Sequence, residues 1–190
     1  MIYLDNAATT QPLFAALERA ESFNEASFFN PSALYRGGLR VRDEVEKARS
    51  FLLSRFPSGY EAIFTSCGSE GDNTAVFSFA KRGNAVTTAG EHLAIYESFK
   101  ALSQRGVEPR FAKLNSDGSV NEESLLSLVD EKTTLVSVVH VNNETGAIND
   151  IDRLAEIVKK KNPSVIFHSD GVQAFGKLPY APTPRIDAYT

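Results

Sequence analysis

The strongest constraint on the fold is the regular alternation of short apolar strands with helical segments after residue 60. The clearest strand is TLVSVVHV at 134–141, which is rich in β-branched residues, almost uncharged and apolar at successive positions. Such a segment is typical of a parallel strand that is buried on both faces. Because strand and helix alternate four or five times, the sequence predicts an α/β domain with a mostly parallel sheet flanked by helices.

Apolar spacing, turn residues and helix caps define the individual elements. A long helix is predicted over residues 34–56, where apolar residues recur every three, four or seven positions. Asn121 is a candidate N-cap of one later helix, and Asp150 or Asp152 of another. The predicted strands lie at 62–65, 85–88, 110–114, 134–141 and 165–167, with a further one starting near 186, and the predicted helices between them include 69–79, 92–102 and 121–129.

Composition excludes several functional classes. The 190 residues include 20 Lys and Arg against 24 Asp and Glu, and this weakly acidic balance argues against a nucleic-acid binder. No apolar run approaches the roughly 20 residues that span a bilayer, and MIYLDNAATT at the start lacks the features of a secretion signal. The single cysteine, Cys67, can form neither an internal disulfide nor a metal cluster. We therefore predict a cytoplasmic protein with no nucleic-acid, membrane or metal partner.

Polar residues follow the predicted strands at the carboxyl ends, where ligands bind in parallel α/β sheets. The small-residue turn at 65–71 runs into a helix, and its backbone N–H groups could cradle a phosphate. His92 follows the second predicted strand, Asn143 the fourth, and Asp170 and Gln173 the fifth. Taken singly, each of these features is better explained as a cap, a turn or an ordinary surface or core residue.

Taken together, these groups match the requirements of one cofactor, pyridoxal 5'-phosphate. This cofactor needs a phosphate cradle, a flat partner for its ring, a donor to its phenolate oxygen and an acid that keeps the ring nitrogen protonated. Asp170 is the candidate acid, because a carboxylate beside a buried strand is costly without a cationic partner. Lys177 is near enough in sequence to supply that positive charge instead.

The motifs of the chain, in order, resemble those of the class V aminotransferase family of pyridoxal-phosphate enzymes, and within it the cysteine desulfurases. The motifs that carry the resemblance are YLDNAATT at 3–10, NPS at 30–32, FTSCGSEGDN at 64–73, GEH at 90–92, HVNNETGAINDI at 140–151, HSDGVQAFGKLP at 168–179 and IDAYT at 186–190. The resemblance implies that residues 16–190 are part of the large domain of an aspartate aminotransferase-like fold. Residues 1–15 would form the segment that contributes small-domain and dimer contacts in the family.

The family's pattern also implies roles at the phosphate side of the site. Gly68 and Ser69 would bind the cofactor phosphate. His92 would stack on the pyridine ring and move protons during catalysis. Cys67 departs from the pattern, because it stands where the phosphate loop of the family usually has a glycine.

Further roles are implied for residues that face the ring. Asn143 would contact the cofactor near its phenolate side or the substrate, Asp170 would pair with the pyridinium nitrogen, and Gln173 would hydrogen-bond the phenolate oxygen. The Schiff-base lysine, the catalytic-cysteine loop and the substrate-binding arginine of the family are expected beyond Thr190. We therefore expect the chain to resemble the N-terminal half of such an enzyme, to be inactive alone and to bind pyridoxal phosphate non-covalently at best.

The resemblance implies an enzyme that transfers sulfur from L-cysteine to an enzyme cysteine and leaves L-alanine. Such enzymes usually form homodimers, and sulfur-acceptor proteins are possible partners. Two alternatives stay open at this point. One is a non-catalytic relic or interaction module that keeps the fold. The other is a different class V lyase or aminotransferase, such as a selenocysteine lyase.

Overall fold

A computed structural model describes residues 2–190, and its internal contacts divide the chain into two compact units, Met1–Ile63 and Phe64–Thr190. The predicted boundary at residue 15 does not coincide with this division, and it stays a prediction about domains in the family. No helix within the described residues has both the length and the apolar character needed to cross a membrane.

The first unit contains two helices, α1 (Phe14–Ala26) and α2 (Arg36–Leu53). No residue of α1 is buried, and Phe14 and Leu17 are 74% and 53% exposed. The second helix confirms the helical prediction for residues 34–56, although it begins two residues later and ends three residues earlier.

The second unit is built on one sheet of five strands, all paired in parallel: β1 (Asn84–Thr88), β2 (Glu108–Ala112), β3 (Thr133–Val139), β4 (Ile166–Asp170) and β5 (Ala188–Tyr189). Their order across the sheet is β2-β1-β3-β4-β5, which confirms the predicted parallel α/β architecture. Since the chain leaves β1 toward β2 on one side and returns to β3 on the other, a crevice opens at the carboxyl ends of β1 and β3.

Four helices cover the two faces of the sheet: α3 (Gly68–Phe79), α4 (Leu93–Leu102), α5 (Glu122–Leu128) and α6 (Ile151–Lys161). Alternate residues of the central strand separate two apolar cores, because Leu135 packs with α3 and α4 while Val136 packs with α5 and α6. The predicted caps are present, since Asn121 and Asp150 each accept a backbone N–H at the start of α5 and α6.

Two predictions about the strands are wrong. Residues 62–65 form no strand in the described chain, and the carbonyl of Ala62 instead accepts a hydrogen bond from the guanidinium of Arg49. A strand needs a neighbouring strand to satisfy its backbone groups, and local sequence does not show that partner. The strand predicted at 165–167 is β4, which extends to Asp170, so Asp170 is the final residue of this strand and does not follow it.

Candidate functional site

A cavity of about 130 Å³ lies where the carboxyl ends of β3 and β4 meet the start of α3. All six residues predicted for the site line this cavity: Gly68, Ser69, His92, Asn143, Asp170 and Gln173. Cys67 and Asp72 line it too. Two larger surface hollows, of about 610 and 490 Å³, contain none of the six residues. The structure therefore brings together residues that are separated by more than a hundred positions in sequence.

One end of the cavity is formed by the start of α3. The first backbone N–H groups of a helix have no partner within the helix, and the helix dipole favours an anion beside them. Gly68 is the first residue of α3, and a Cβ atom there would lie 2.6 Å from Cγ2 of Val172. A larger residue at position 68 would therefore require the side chain of Val172 to move. This end has the character of an anion-binding site.

Cys67 stands at the same end, immediately before α3, with an exposed thiol. The backbone N–H of Glu70 and the hydroxyl of Ser66 lower the pKa of this thiol, because both hydrogen bonds favour the thiolate. The residue that departs from the family's glycine therefore places an ionisable sulfur beside the anion-binding end.

Another part of the cavity lining is acidic, and Asp170 belongs to this acidic end. Asp170 is only 4% exposed, and burial raises the pKa of its carboxyl group. One carboxylate oxygen accepts the backbone N–H of Val172 at 3.0 Å. Within residues 2–190 no lysine or arginine forms an ion pair with Asp170. Lys177, the alternative source of positive charge, donates to Oε1 of Gln173 instead.

Asp72 is a second acid at this end, and sequence reasoning overlooked its role. It lies on α3 and is 1% exposed, and its Oδ1 atom has no hydrogen-bond partner among the described residues. Burial, and then the charge of Asp170, raise the pKa of Asp72 to about 7. The available signal was its spacing, because Asp72 follows Ser69 by three residues and so shares its helix face.

Glu91 is a third acid close to the first two. Its Oε1 accepts the hydroxyl of Thr88 at 2.6 Å and the backbone N–H of Val139 at 3.1 Å. Its Oε2 is buried, and no partner for it is found in the part of the chain that the structure describes. Burial raises the pKa of Glu91 to about 8, and the charges of Asp170 and Asp72 add to the rise. The charge of Asp170 thus disfavours the ionisation of both Asp72 and Glu91.

His92 is exposed and forms the N-cap of α4, where its Nδ1 accepts the backbone N–H of Ala94 at 3.2 Å. In the neutral ring the proton therefore lies on Nε2. The charge of His92 lowers the pKa of Asp170, which places the imidazole on the acidic side of the cavity.

Asn142 connects the loops that carry two of the site residues. Its Nδ2 donates to the carbonyl of Gly90 at 2.7 Å, and its Oδ1 accepts the backbone N–H groups of Glu144 and Thr145. This bridge fixes the loop after β3, which carries Asn143, against the loop that leads to His92.

A buried histidine, His168, lies next to the acidic end of the cavity. Nδ1 of His168 lies 2.8 Å from Oγ of Ser137, and Nε2 lies 2.8 Å from Oγ1 of Thr190. Burial lowers the pKa of His168 to about 4, so the ring is neutral at pH 7. The 3.9 Å approach of its Nε2 to Asp72 is therefore not an ion pair. His168 supplies a polar contact, and it does not neutralise the acids.

The cavity thus has an anion-binding end at α3 and a cation-seeking end at Asp170. These two ends suit a small aromatic cofactor that carries a phosphate and a protonated ring nitrogen. Asp72 Oδ1 and the unpaired charge of Asp170 fit the cationic nitrogen, and the N-terminus of α3 at Gly68 and Ser69 fits the phosphate. The fold and this site define the class of α/β pyridoxal-phosphate enzymes.

The chain belongs to the aminotransferase class-V family, whose pattern matches residues 2–184. It is 35% identical to cysteine desulfurase 2 of Trichormus variabilis, an alignment that covers 100% of this chain and 49% of that protein. Cysteine desulfurase IscS of Clostridium botulinum (strain Hall) is also 35% identical, over 93% of this chain and 46% of its own length. The chain spans about half the length of the curated relatives it matches.

Solved structures give the same family. A NifS-like protein superposes with a TM-score of 0.94 at 34% identity, over 100% of this chain and 54% of that one. A structure described as SspA in complex with cysteine superposes with a TM-score of 0.84 at 25% identity, over 91% and 51% of the two chains. Class V aminotransferases and cysteine desulfurases depend on pyridoxal phosphate, which agrees with the predicted cofactor class.

Proposed function

We propose that this chain is the cofactor-binding part of a pyridoxal-phosphate cysteine desulfurase. The observation that carries the proposal is the pairing of opposite electrostatic ends within one cavity of about 130 Å³. The N-terminus of α3 favours an anion, and the buried, unpaired Asp170 favours a cation. The names of the relatives support the same activity.

In this proposal Gly68 and Ser69 hold the cofactor phosphate, and the first turn of α3 stabilises its charge. Asp170 accepts a hydrogen bond from the protonated ring nitrogen and keeps the proton there. When bound, pyridoxal phosphate supplies an electron sink for bonds next to the substrate amino group. Because the burial of Asp170 disfavours its charge in the free protein, arrival of a cationic ring stabilises that charge by direct pairing.

The other three residues orient the ring and handle protons. Gln173 carries an amide N–H₂ group, which is the donor that a phenolate oxygen requires. Asn143 supplies a second amide at the same cavity, held by the Asn142 bridge. His92 presents a flat imidazole on an exposed turn, where Nε2 can exchange its proton with solvent or substrate.

We further propose L-cysteine as the substrate, since one superposed structure is described as a complex with cysteine. The reaction breaks the Cβ–S bond of L-cysteine and joins its sulfur to an enzyme thiol. The products are L-alanine, in which Cβ has gained a proton, and an enzyme persulfide. We assign no acceptor role to Cys67, because the phosphate would lie against it. A homodimer and sulfur-acceptor proteins belong to the same proposal.

Ligand titration tests the cofactor site. Pyridoxine 5'-phosphate is the appropriate probe, because it has no aldehyde and cannot react with surface lysines. We expect Asp170→Asn to weaken its binding by about 10- to 100-fold, the usual contribution of a hydrogen bond to a charged group. Asp43→Asn, an exposed carboxylate on α2, is the matched control and should leave affinity unchanged. Equal affinity of the protein and its Asp170→Asn variant would refute the assignment.

Two further measurements separate the parts of the proposal. Pyridoxine without the phosphate should bind far more weakly, because it leaves the α3 end empty. In the natural full-length protein loaded with pyridoxal phosphate, L-cysteine should yield L-alanine and protein-bound sulfane sulfur in equal amounts. Turnover of L-selenocysteine but not of L-cysteine would replace the desulfurase assignment with the alternative class V activity, that of a selenocysteine lyase.

A further inference from the structure

Three metal-binding side chains of different types converge on the cavity: Asp72, His92 and Asp170. Their ligand atoms all lie within 4.8 Å of one another. Two carboxylates and one imidazole are a donor set that suits Zn²⁺ and other first-row divalent cations. The three residues come from α3, from the loop after β1 and from the end of β4, so the topology of the sheet brings them together.

A second observation also points to a cation at these side chains. Asp72 lines this cavity, and its Oδ1 atom is buried, lies 3.9 Å from Nε2 of the neutral His168 and has no hydrogen-bond partner among the described residues. Buried carboxylate oxygens are almost always satisfied, because an unsatisfied one is costly. Asp72 is 1% exposed and Asp170 is 4% exposed, so neither carboxylate is solvated as a surface carboxylate is. A metal ion would satisfy both carboxylates at once.

Binding of a metal ion would require little rearrangement of the three side chains. Ligand atoms about 2.1 Å from a metal lie roughly 3–4 Å apart, so the present separations must shrink by about an ångström. His92 can make this movement, because it is exposed and its ring is held by one hydrogen bond from Ala94. Ligation uses the lone pair of one ring nitrogen and gives up that single bond.

We propose that Asp72, His92 and Asp170 bind one first-row divalent transition-metal ion, with Zn²⁺ as the favoured member and water completing the shell. Zinc is favoured because three protein ligands with an open fourth position are typical of its sites. Binding of the metal does not depend on the proposed function. One consequence does rest on it: since Asp170 would face the cofactor ring, the metal and the cofactor exclude each other.

The direct test is titration of the purified chain with Zn²⁺ by calorimetry and with Co²⁺ by visible absorbance, in a buffer without phosphate or chelators. We expect one ion per chain and d–d bands of a low-symmetry Co²⁺ site. Asp72→Asn and His92→Gln should each weaken Zn²⁺ binding at least tenfold. Glu123→Gln, an exposed carboxylate in the first turn of α5, should have no effect. Cys67→Ser should also have none, because the sulfur lies outside the three-residue group.

Several results would overturn the site. Absence of saturable binding at millimolar Zn²⁺ is one, and affinity that survives His92→Gln is another. Loss of binding in Cys67→Ser would place the ion at the thiol. Since His92 is exposed, His92→Gln should fold, and thermal unfolding provides a second measurement. Zn²⁺ must raise the melting temperature of the protein and of Glu123→Gln, but not that of His92→Gln.

Competition with pyridoxine 5'-phosphate distinguishes this proposal from the proposed function. Zn²⁺ should raise the apparent dissociation constant of pyridoxine 5'-phosphate in proportion to its own occupancy. If Zn²⁺ binds but pyridoxine 5'-phosphate does not, the metal site is supported and the cofactor assignment fails. If pyridoxine 5'-phosphate binds and Zn²⁺ does not, the cofactor assignment is supported and the metal site fails. Simultaneous binding of both at full affinity would refute mutual exclusion.

Discussion

Replacement of Asp72 by asparagine should stabilise the protein, and the gain should grow with pH. Asparagine keeps the shape of the side chain but cannot ionise. In the folded chain the pKa of Asp72 is raised to about 7, mainly by burial, whereas its ordinary value is 3.8. Between these two values the unfolded chain has released the proton and the folded chain still holds it. Stability therefore falls as pH rises through this window and is constant above it.

The size of the effect follows from the same two pKa values. Each pKa unit corresponds to about 1.4 kcal/mol, so the change from 3.8 to about 7 destabilises the folded chain by at most about 4 kcal/mol above pH 7. About 3 kcal/mol of that amount develops between pH 5 and pH 8. Asp170 lies in the same cavity and can hold the proton in place of Asp72, so we expect a gain near 2 kcal/mol for Asp72→Asn at pH 8.

Urea unfolding of both proteins at pH 5, 6, 7 and 8, without ligand or metal, measures the difference. The control is Asp43→Asn, whose exposed position on α2 should keep any change within about 0.5 kcal/mol at every pH. A constant difference between pH 5 and pH 8 would show that Asp72 does not titrate in this range. A loss of stability at all four pH values would show that the carboxylate is charged and paired, which contradicts the geometry described above.

Three further substitutions test one contact of the site and two contacts of the buried core. Gly68→Ala should weaken pyridoxine 5'-phosphate binding in a titration, because its Cβ would collide with a neighbouring valine at 2.6 Å and displace the start of α3. Asn149→Ala should cost about 2–4 kcal/mol in urea unfolding, because it leaves the buried N–H of Val120 and the carbonyl of Val139 without their partner. Phe99→Ala should cost about 3–5 kcal/mol in the same assay, since its ring is fully buried between α4 and the sheet. An unchanged affinity in the first case, or a cost below 1 kcal/mol in either of the others, would contradict these contacts.

Local sequence was sufficient to predict an element or a site residue where one physical signal dominates. The β-branched run at 134–141 predicted the central strand, and Asn121 and Asp150 cap α5 and α6 because their side chains accept the first free N–H groups. The six candidate residues were found because parallel strands end at one edge of the sheet, so polar residues after those strands must lie close together.

The remaining features depend on contacts that sequence does not show. Residues 62–65 have the composition of a strand, but in the described chain they find no strand partner. Asp72 has the sequence context of an exposed residue in a first helical turn, where a carboxylate normally favours the helix dipole. Only the packing of α3 against the sheet buries it beside Asp170. The partly buried position of Glu91 likewise follows from its hydrogen bonds with the hydroxyl of Thr88 and the backbone N–H of Val139 in β3.

Asp130 and the acids of the cavity differ in whether their carboxylates have hydrogen-bond partners. Asp130 is a structural carboxylate: it accepts bonds from Asn84, from the guanidinium of Arg110 and from the backbone N–H of Lys132, and these bonds hold its pKa well below the usual range. The cavity acids Asp72 and Asp170, and the neighbouring Glu91, have the opposite property, because burial raises their pKa values. Asp72 Oδ1 and Glu91 Oε2 have no hydrogen-bond partner among the described residues. Structural carboxylates stabilise a fold only when their partners are present. The cavity acids therefore reduce stability in the free chain, and a ligand that brings positive charge to Asp170 would remove that cost on binding.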